Sequence, residues 1–184
     1  MTWHRAQPWV SLACRLGLAG IFIVAGALKV TDLASSGRAV NAYQIMPYDL
    51  AMVVGAAQPF VEIVVGLLLL FGLATRLAAW ASAVMMVAFI AGIASAWSRG
   101  LNIDCGCFSK GGPLPPGVTP NYLPDIIRDV AFLAMAIFLI IYPVSRFSLD
   151  ARLDRPSPAL EDDVLEEENS DEPSEQAVRR RERL

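Results

Sequence analysis

The chain has 184 residues, of which 55% are hydrophobic, and its mean hydropathy of +0.47 is too high for an ordinary soluble domain. The formal net charge of −3 says little about the chain as a whole, because most acidic residues lie in its last 35 positions. The two loop cysteines discussed below would need further ligands to form a zinc site, and the single histidine, His4, is far from them, so we expect no metal.

The apolar residues fall into four blocks, roughly 10–30, 50–73, 77–97 and 123–142. Each block has about 20 residues, enough for a helix to cross a hydrocarbon core. In lipid each span must be helical, because an unpaired backbone amide is costly there. We therefore predict an all-α membrane protein in which residues 10–145 form a four-transmembrane-helix bundle, preceded by a cytoplasmic segment of residues 1–9.

The first span has two interpretations. Basic residues followed by an apolar run and Ala25-Gly26-Ala27 imitate a cleaved secretory signal. Arg15 interrupts the apolar run, however, and Lys29 follows at a natural anchoring position, so we favour a retained span. Cys14 within this span is expected to be a small apolar core residue.

A semi-polar connection, residues 31–49, follows the first span. Its stretch 33–43 predicts a short helix on the outer membrane surface, and Tyr43 and Tyr48 fit an interfacial aromatic belt. The short connection 72–76 makes the second and third spans antiparallel neighbours.

Glu62 is the costly residue of the second span, because a carboxylate at membrane depth needs a partner, a proton or an interior position. Lys29 and Arg128 are the candidate partners, although Asp125 and Asp129 compete for Arg128. Two roles stay open: Glu62 relays a proton to the loop thiols or to a bound quinone, or it locks helices together through a buried pair.

The loop before the fourth span contains Asp104-Cys105-Gly106-Cys107-Phe108. Two cysteines one residue apart can close a small, strained and easily reduced disulfide ring, and Gly106 allows the sharp turn. Asp104 would raise a neighbouring thiol pKa, whereas Lys110 and Arg99 would lower it. The spacing favours thiol–disulfide chemistry at Cys105 and Cys107, with Glu62, Lys29, Arg128, Asp104 and Lys110 in supporting roles.

Arginine and lysine near the span ends predict the orientation. Six lie on the side of the N-terminus and four on the other: Arg5, Arg15, Arg76, Arg146, Arg152 and Arg155 against Lys29, Arg38, Arg99 and Lys110. Both termini are therefore expected in the cytoplasm and the cysteine loop outside the plasma membrane, where disulfides persist. The charged tail, residues 146–184, has few aromatics and no apolar periodicity, which predicts a disordered cytoplasmic segment.

Four segments together resemble DoxX-type membrane proteins and, within them, the MauE branch of methylamine-utilisation proteins: 15–32, 43–47, 62–76 and 104–108. Ser109 departs from the glycine that often follows the cysteine motif. The resemblance implies a four-helix membrane protein that supports disulfide formation or maturation of exported redox proteins, as MauE supports the cysteine-rich small subunit of methylamine dehydrogenase.

We therefore predict a membrane thiol–disulfide redox protein acting on an exported thioredoxin-like or disulfide-containing partner, with no nucleic-acid partner. Whether it is an enzyme is left open. Cys14 is expected on the far side of the bilayer, so electrons would pass between the loop pair and a bound quinone or another protein. The alternative is a non-catalytic scaffold or assembly factor whose disulfide only shapes the loop. A transporter would need more polar groups at membrane depth than Glu62 and usually an internal repeat.

Overall fold

A computed structural model describes residues 3–107, 109 and 111–143 of the chain. In chain order its elements are helices α1 (Trp3–Val30), α2 (Leu33–Ala42), α3 (Tyr48–Phe71) and α4 (Thr75–Ser98), strands β1 (Ile103–Asp104) and β2 (Gly112–Pro113), and helix α5 (Tyr122–Ile141). All four predicted spans fold as helices, with ends close to those expected except that α1 begins earlier, at Trp3. The predicted disordered tail, residues 146–184, lies outside the described residues.

Three helices in the described part of the chain are long and apolar enough to cross a membrane: Ala6–Val30 within α1, and the whole of α3 and α4. Helix α5 has 20 residues, but Asp125, Arg128 and Asp129 in its first half leave residues 130–141 as its longest stretch without charged side chains. Three of the four predicted spans are therefore candidate membrane spans by length and composition, and the crossing by α5 stays a prediction.

The first span, α1, packs on α3 and α5, while α4 packs mainly on α5. These helices share a core of large apolar side chains, among them Leu18, Phe22, Val65, Leu69, Met86 and Leu139. Lipid tails are as apolar as these side chains, so close van der Waals packing holds such helices together rather than escape from water.

Glycines allow α1 and α3 to approach closely. A Cβ atom added at Gly26 would lie 2.8 Å from the Pro59 carbonyl oxygen and 2.7 Å from Cγ1 of Ile63. A Cβ atom at Gly66 would likewise lie 2.7 Å from Cγ1 of Ile23. The absence of side chains at these positions sets the α1–α3 distance, which in turn brings Lys29 of α1 to Glu62 of α3.

The short helix predicted over residues 33–43 is confirmed as α2. Its N-cap is Asp32, whose carboxylate accepts the backbone N–H of Ser35 at 2.9 Å and so satisfies one free donor of the first turn. Helix α2 packs against α3. This placement carries Tyr43, the residue that follows α2, to the cysteine loop.

The loop between α4 and α5 contains a feature that the all-α prediction missed. Strands β1 and β2 form a two-residue antiparallel pair, in which Ile103 lies opposite Pro113 and Asp104 opposite Gly112. The hydroxyl of Tyr122 accepts the Ile103 N–H at 3.2 Å and donates to the Leu101 carbonyl. These bonds tie the start of the loop to the beginning of α5.

Candidate functional site

The two loop cysteines follow β1 directly and are separated by Gly106, whose φ of +72° is a conformation that favours glycine. The Tyr43 hydroxyl donates to the Cys105 carbonyl at 3.0 Å, and the Gly106 N–H donates to the Asp104 carboxylate at 3.3 Å. Two hydrogen bonds therefore hold the loop that carries the sulfurs: one from Tyr43, which follows α2, and one within the loop itself.

Cys105 and Cys107 are half-buried, and both are free thiols in this structure. The hydrogen bond with the Cys107 side chain lowers the pKa of Cys105, burial opposes this effect, and a further hydrogen bond from Arg128 supports it. The pKa of Cys107 is raised, first by its hydrogen bond to Cys105 and then by burial. The pair is therefore asymmetric: Cys105 is the sulfur that more readily becomes a thiolate, and Cys107 is the one that more readily keeps its proton.

Arg128 is the cation beside the pair, with Nη2 at 3.8 Å from the Sγ of Cys105. Its guanidinium is held by Asp125, at 2.9 Å from Nη1, and by Asp129, at 3.0 Å from Nη2. The sequence had suggested Arg99 as a cation near the thiols, but the guanidinium of Arg99 instead donates to the carbonyls of Tyr43 and Gln44. Lys110, the other predicted cation, lies outside the described residues.

Glu62 forms an ion pair with Lys29, one of its two predicted partners, whereas Arg128, the other, pairs with Asp125 and Asp129. Lys29 Nζ lies 2.7 Å from Glu62 Oε1, and the side chains are only 8% and 1% exposed. The Gln58 amide donates to the same oxygen at 2.8 Å, and the Lys29 ammonium lies 5.9 Å from the centre of the Phe89 ring. Removing one member of such a buried pair leaves an uncompensated charge.

A cavity of about 300 Å³ opens beside both cysteines. Residues of α1, α2, α3, α4 and the loop line it. Its wall is mainly apolar, with polar groups that include Lys29, Asp32, Tyr43 and Gln58. A mainly apolar cavity with convergent polar groups next to thiols of shifted pKa is typical of a binding site. Among the described residues, no three His, Cys, Asp or Glu side chains come together as metal ligands.

Two residues at this site escaped the sequence analysis. Tyr43 was interpreted as part of an aromatic belt, yet its hydroxyl bonds the cysteine loop, and burial and the nearby thiols raise its pKa so that it stays a donor. Asp129 was interpreted only as a competitor for Arg128, yet it is 2% exposed and its charge acts on Cys107. The i,i+3 spacing of Asp125 and Arg128 was a signal for their ion pair. Arg128 was predicted to support the thiols, but nothing in the sequence placed Asp129 beside them.

The chain matches known proteins through the region just described. The family model for methylamine utilisation protein MauE matches residues 7–142, which include α1 from Gln7 onward, helices α2 to α5 and both loop cysteines. The methylamine utilization protein MauE of Paracoccus denitrificans is 33% identical over 106 residues, 57% of this chain and 57% of that relative's length. No solved structure matches the chain significantly. The three apolar helices and these matches identify a multi-pass membrane protein, and the chain belongs to the MauE family.

Proposed function

We propose that this protein carries out thiol–disulfide exchange with an exported partner through Cys105 and Cys107. The observation that carries the proposal is the asymmetric thiol pair, with Cys105 beside the guanidinium of Arg128 at the edge of an open cavity. A thiolate is the reactive form of cysteine, and a nearby arginine stabilises it. Such surroundings distinguish a working thiol pair from two inert core cysteines.

The exchange proceeds in two steps that move two electrons. A partner thiolate attacks Cys107 Sγ of the oxidised pair, the Cys105–Cys107 bond breaks, and its electron pair leaves on Cys105, whose lowered pKa makes it the better leaving group. A second partner thiol, deprotonated, then attacks the partner's own sulfur in the mixed disulfide and releases Cys107, which takes a proton. The partner ends as a disulfide and the loop as a dithiol. The reverse sequence would reduce a partner disulfide.

The membrane arrangement in this proposal has four spans with the cysteine loop on the outer side. Helix α5 has three charged residues, which are Asp125, Arg128 and Asp129. They form ion pairs with one another and lie at the end of the helix near the cysteine loop. The remaining residues, 130–141, are all apolar. Helix α5 of 20 residues is about 30 Å long, enough to cross the hydrocarbon core if its charged end lies at the outer surface.

The two-electron exchange partner of the loop pair would be a quinone or another protein. Cys14 lies 15 positions before Lys29 in α1, or about 22 Å along a helix, so it is far from the cavity beside the pair. An apolar cavity of about 300 Å³ next to both sulfurs has room for a quinone ring or for a cysteine-bearing loop of a partner.

The names of the family and of the relative refer to methylamine utilisation. The relative is matched over 57% of its length, so we propose that process for this chain while taking the chemistry from its own cysteine loop. The substrate class is an exported protein that forms or exchanges disulfides.

The scaffold alternative requires the disulfide to shape the loop. The Tyr43 and Tyr122 hydroxyls and the β1–β2 pair hold the loop through contacts that do not involve a bond between the two sulfurs. This favours a reactive role for the sulfurs over a structural one.

The deciding experiment is the reduction potential of the Cys105–Cys107 pair in the purified full-length protein, measured by thiol trapping across glutathione buffers. A potential well above about −300 mV, below which structural disulfides usually lie, would support exchange. A Cys105→Ser variant would then be used to trap the partner on Cys107, the sulfur that the partner attacks, with Cys14→Ser as the control. A bridge that resists reduction until the protein unfolds would favour the scaffold.

A further inference from the structure

A second and much smaller cavity, of about 20 Å³, lies against Cys107 between helices α1, α3, α4 and α5. Four polar residues line it, namely Lys29, Glu62, Cys107 and Asp129, and the rest of its wall is apolar. A space of this size can hold one water molecule when two to four polar groups surround it. The cavity therefore has both the volume and the chemistry of a single-water site.

Two carboxylate oxygens at this cavity have no hydrogen-bond partner among the described residues: Oε2 of Glu62 and Oδ2 of Asp129. The side chains are 1% and 2% exposed. The other oxygen of each is occupied, Oε1 of Glu62 by Lys29 and Oδ1 of Asp129 by Arg128. Buried carboxylate oxygens are rarely left without hydrogen-bond partners. Each of these two oxygens therefore needs either a hydrogen bond from a water molecule or a proton of its own.

The charges facing Cys107 also favour a retained proton. The cations are Lys29 and Arg128, whereas Glu62, Asp125, Asp129 and the thiolate form of Cys105 are negative. Asp104 and Tyr43 face the pair from the loop and from α2, and neither adds a positive charge. Negative groups outnumber positive ones, and burial makes an unbalanced charge expensive, which favours a proton on one carboxyl of this cluster.

We infer that Asp129 exchanges a proton with the Cys107 sulfur through one water in the small cavity, and that Glu62 and Lys29 hold this water. The inference rests on the proposed thiol–disulfide exchange. When Cys107 is released from the mixed disulfide, the S–S electron pair moves to its sulfur. A proton passes from the Asp129 carboxyl through the water to that sulfur, and Asp129 becomes a carboxylate. Solvent returns a proton to Asp129 and receives the proton lost by the attacking partner thiol.

This role explains why the pair can be asymmetric and still turn over. Cys107 is the poorer leaving group, because its hydrogen bond with the Cys105 side chain and its burial raise its pKa. A leaving group of high pKa leaves slowly unless an acid protonates it as the bond breaks. In the reverse direction the Asp129 carboxylate takes the proton from Cys107 as that thiol attacks. The same residue therefore serves both directions of exchange.

The test compares the full-length protein in micelles with Asp129→Asn, which keeps the side-chain shape but cannot carry the proton. Dithiothreitol reduces the oxidised pair in a single turnover at a series of pH values, and the species are trapped with acid and separated. We expect Asp129→Asn to slow the release of Cys107 by about 100-fold and to accumulate the mixed disulfide on Cys107. Asp49→Asn, an exposed carboxylate at the start of α3, should match the wild type.

A purely structural role of Asp129 would not alter the pH profile, so the profile is the decisive readout. Wild-type release should change with pH as the Asp129 carboxyl titrates, Asp129→Asn should lose this dependence, and Asp129→Glu should restore part of the rate. If Asp129→Asn does not fold, infrared difference spectra of the wild-type protein should show a carboxyl signal that changes when the pair is reduced.

The outcomes separate the two proposals. Equal rates and pH profiles for wild type and Asp129→Asn, or no carboxyl change in the infrared spectra, would overturn the proton relay and leave the exchange function standing. A wild-type bridge that does not react with dithiothreitol in the folded protein would overturn the exchange function itself.

Discussion

The guanidinium Nη2 of Arg128 lies 3.8 Å from the Sγ of Cys105 and 3.0 Å from the Oδ1 of Asp129. One side chain of α5 thus links the loop thiol to a carboxylate that is 2% exposed. The guanidinium stabilises negative charge on the sulfur, and its ion pairs with Asp125 and Asp129 fix its position. The reactivity of the loop is therefore set by a helix that begins 17 positions after Cys105.

Replacing Arg128 with glutamine should raise the pKa of Cys105, because the hydrogen bond that favours its thiolate is lost. Only the thiolate is alkylated, so the pH profile of iodoacetamide labelling should move to higher pH. A rise of one pKa unit would lower the rate at neutral pH by about tenfold. Mass spectrometry should place the first wild-type label on Cys105. Arg76→Gln, an exposed residue at the start of α4, serves as the control, and an unchanged profile in Arg128→Gln would contradict the assignment.

Tyr43→Phe should loosen the cysteine loop without unfolding the helices. The variant loses one hydrogen bond, from the tyrosine hydroxyl to the Cys105 carbonyl, worth about 1 kcal/mol. Hydrogen exchange of the amides in residues 101–107 should become faster while that of α3 is unchanged. Tyr48→Phe is the matched control, since Tyr48 is 58% exposed. Equal protection in both variants would mean that the tyrosine does not hold the loop.

The Lys29–Glu62 pair should show strong coupling in a double-mutant cycle. Lys29→Met and Glu62→Leu should each lower the free energy of unfolding in micelles by about 3–5 kcal/mol, because each leaves one buried charge unpaired. The double variant should regain most of this loss, since it buries no charge. Simple additivity of the two losses would show that the pair is not coupled. A stable double variant with slow exchange would indicate that Glu62 also serves the chemistry.

Gly26→Ala should destabilise the contact between α1 and α3. The added methyl group would lie 2.8 Å from the Pro59 carbonyl oxygen, which cannot move away without shifting the helix. Overpacking of this kind costs about 1–3 kcal/mol, measurable as a lower unfolding temperature in micelles. Gly20→Ala is the control on the same helix, because nothing lies within 4 Å of its added Cβ. Two variants of equal stability would contradict the close approach.

Several features of this protein follow from its sequence. Blocks of about 20 apolar residues require helices, because lipid offers no partner to a free backbone amide, and the positions of all four long helices were predicted closely. The short helix α2 was also predicted from its own segment. The cysteine motif and the need of Glu62 for a partner were visible as well, since both depend on local chemistry or on the cost of a charge in lipid.

The partners in space were decided by tertiary structure. The sequence offered Lys29 and Arg128 to Glu62 equally, and helix packing through Gly26 and Gly66 brought Lys29 to it. Arg128 was thereby left to Asp125, Asp129 and the Cys105 sulfur. The periodicity of a helix fixes which face a residue lies on, but not which other helix that face meets. For that reason the sequence determined which groups this protein has for thiol chemistry, and only the packing of α1, α3 and α5 determined which of them meet.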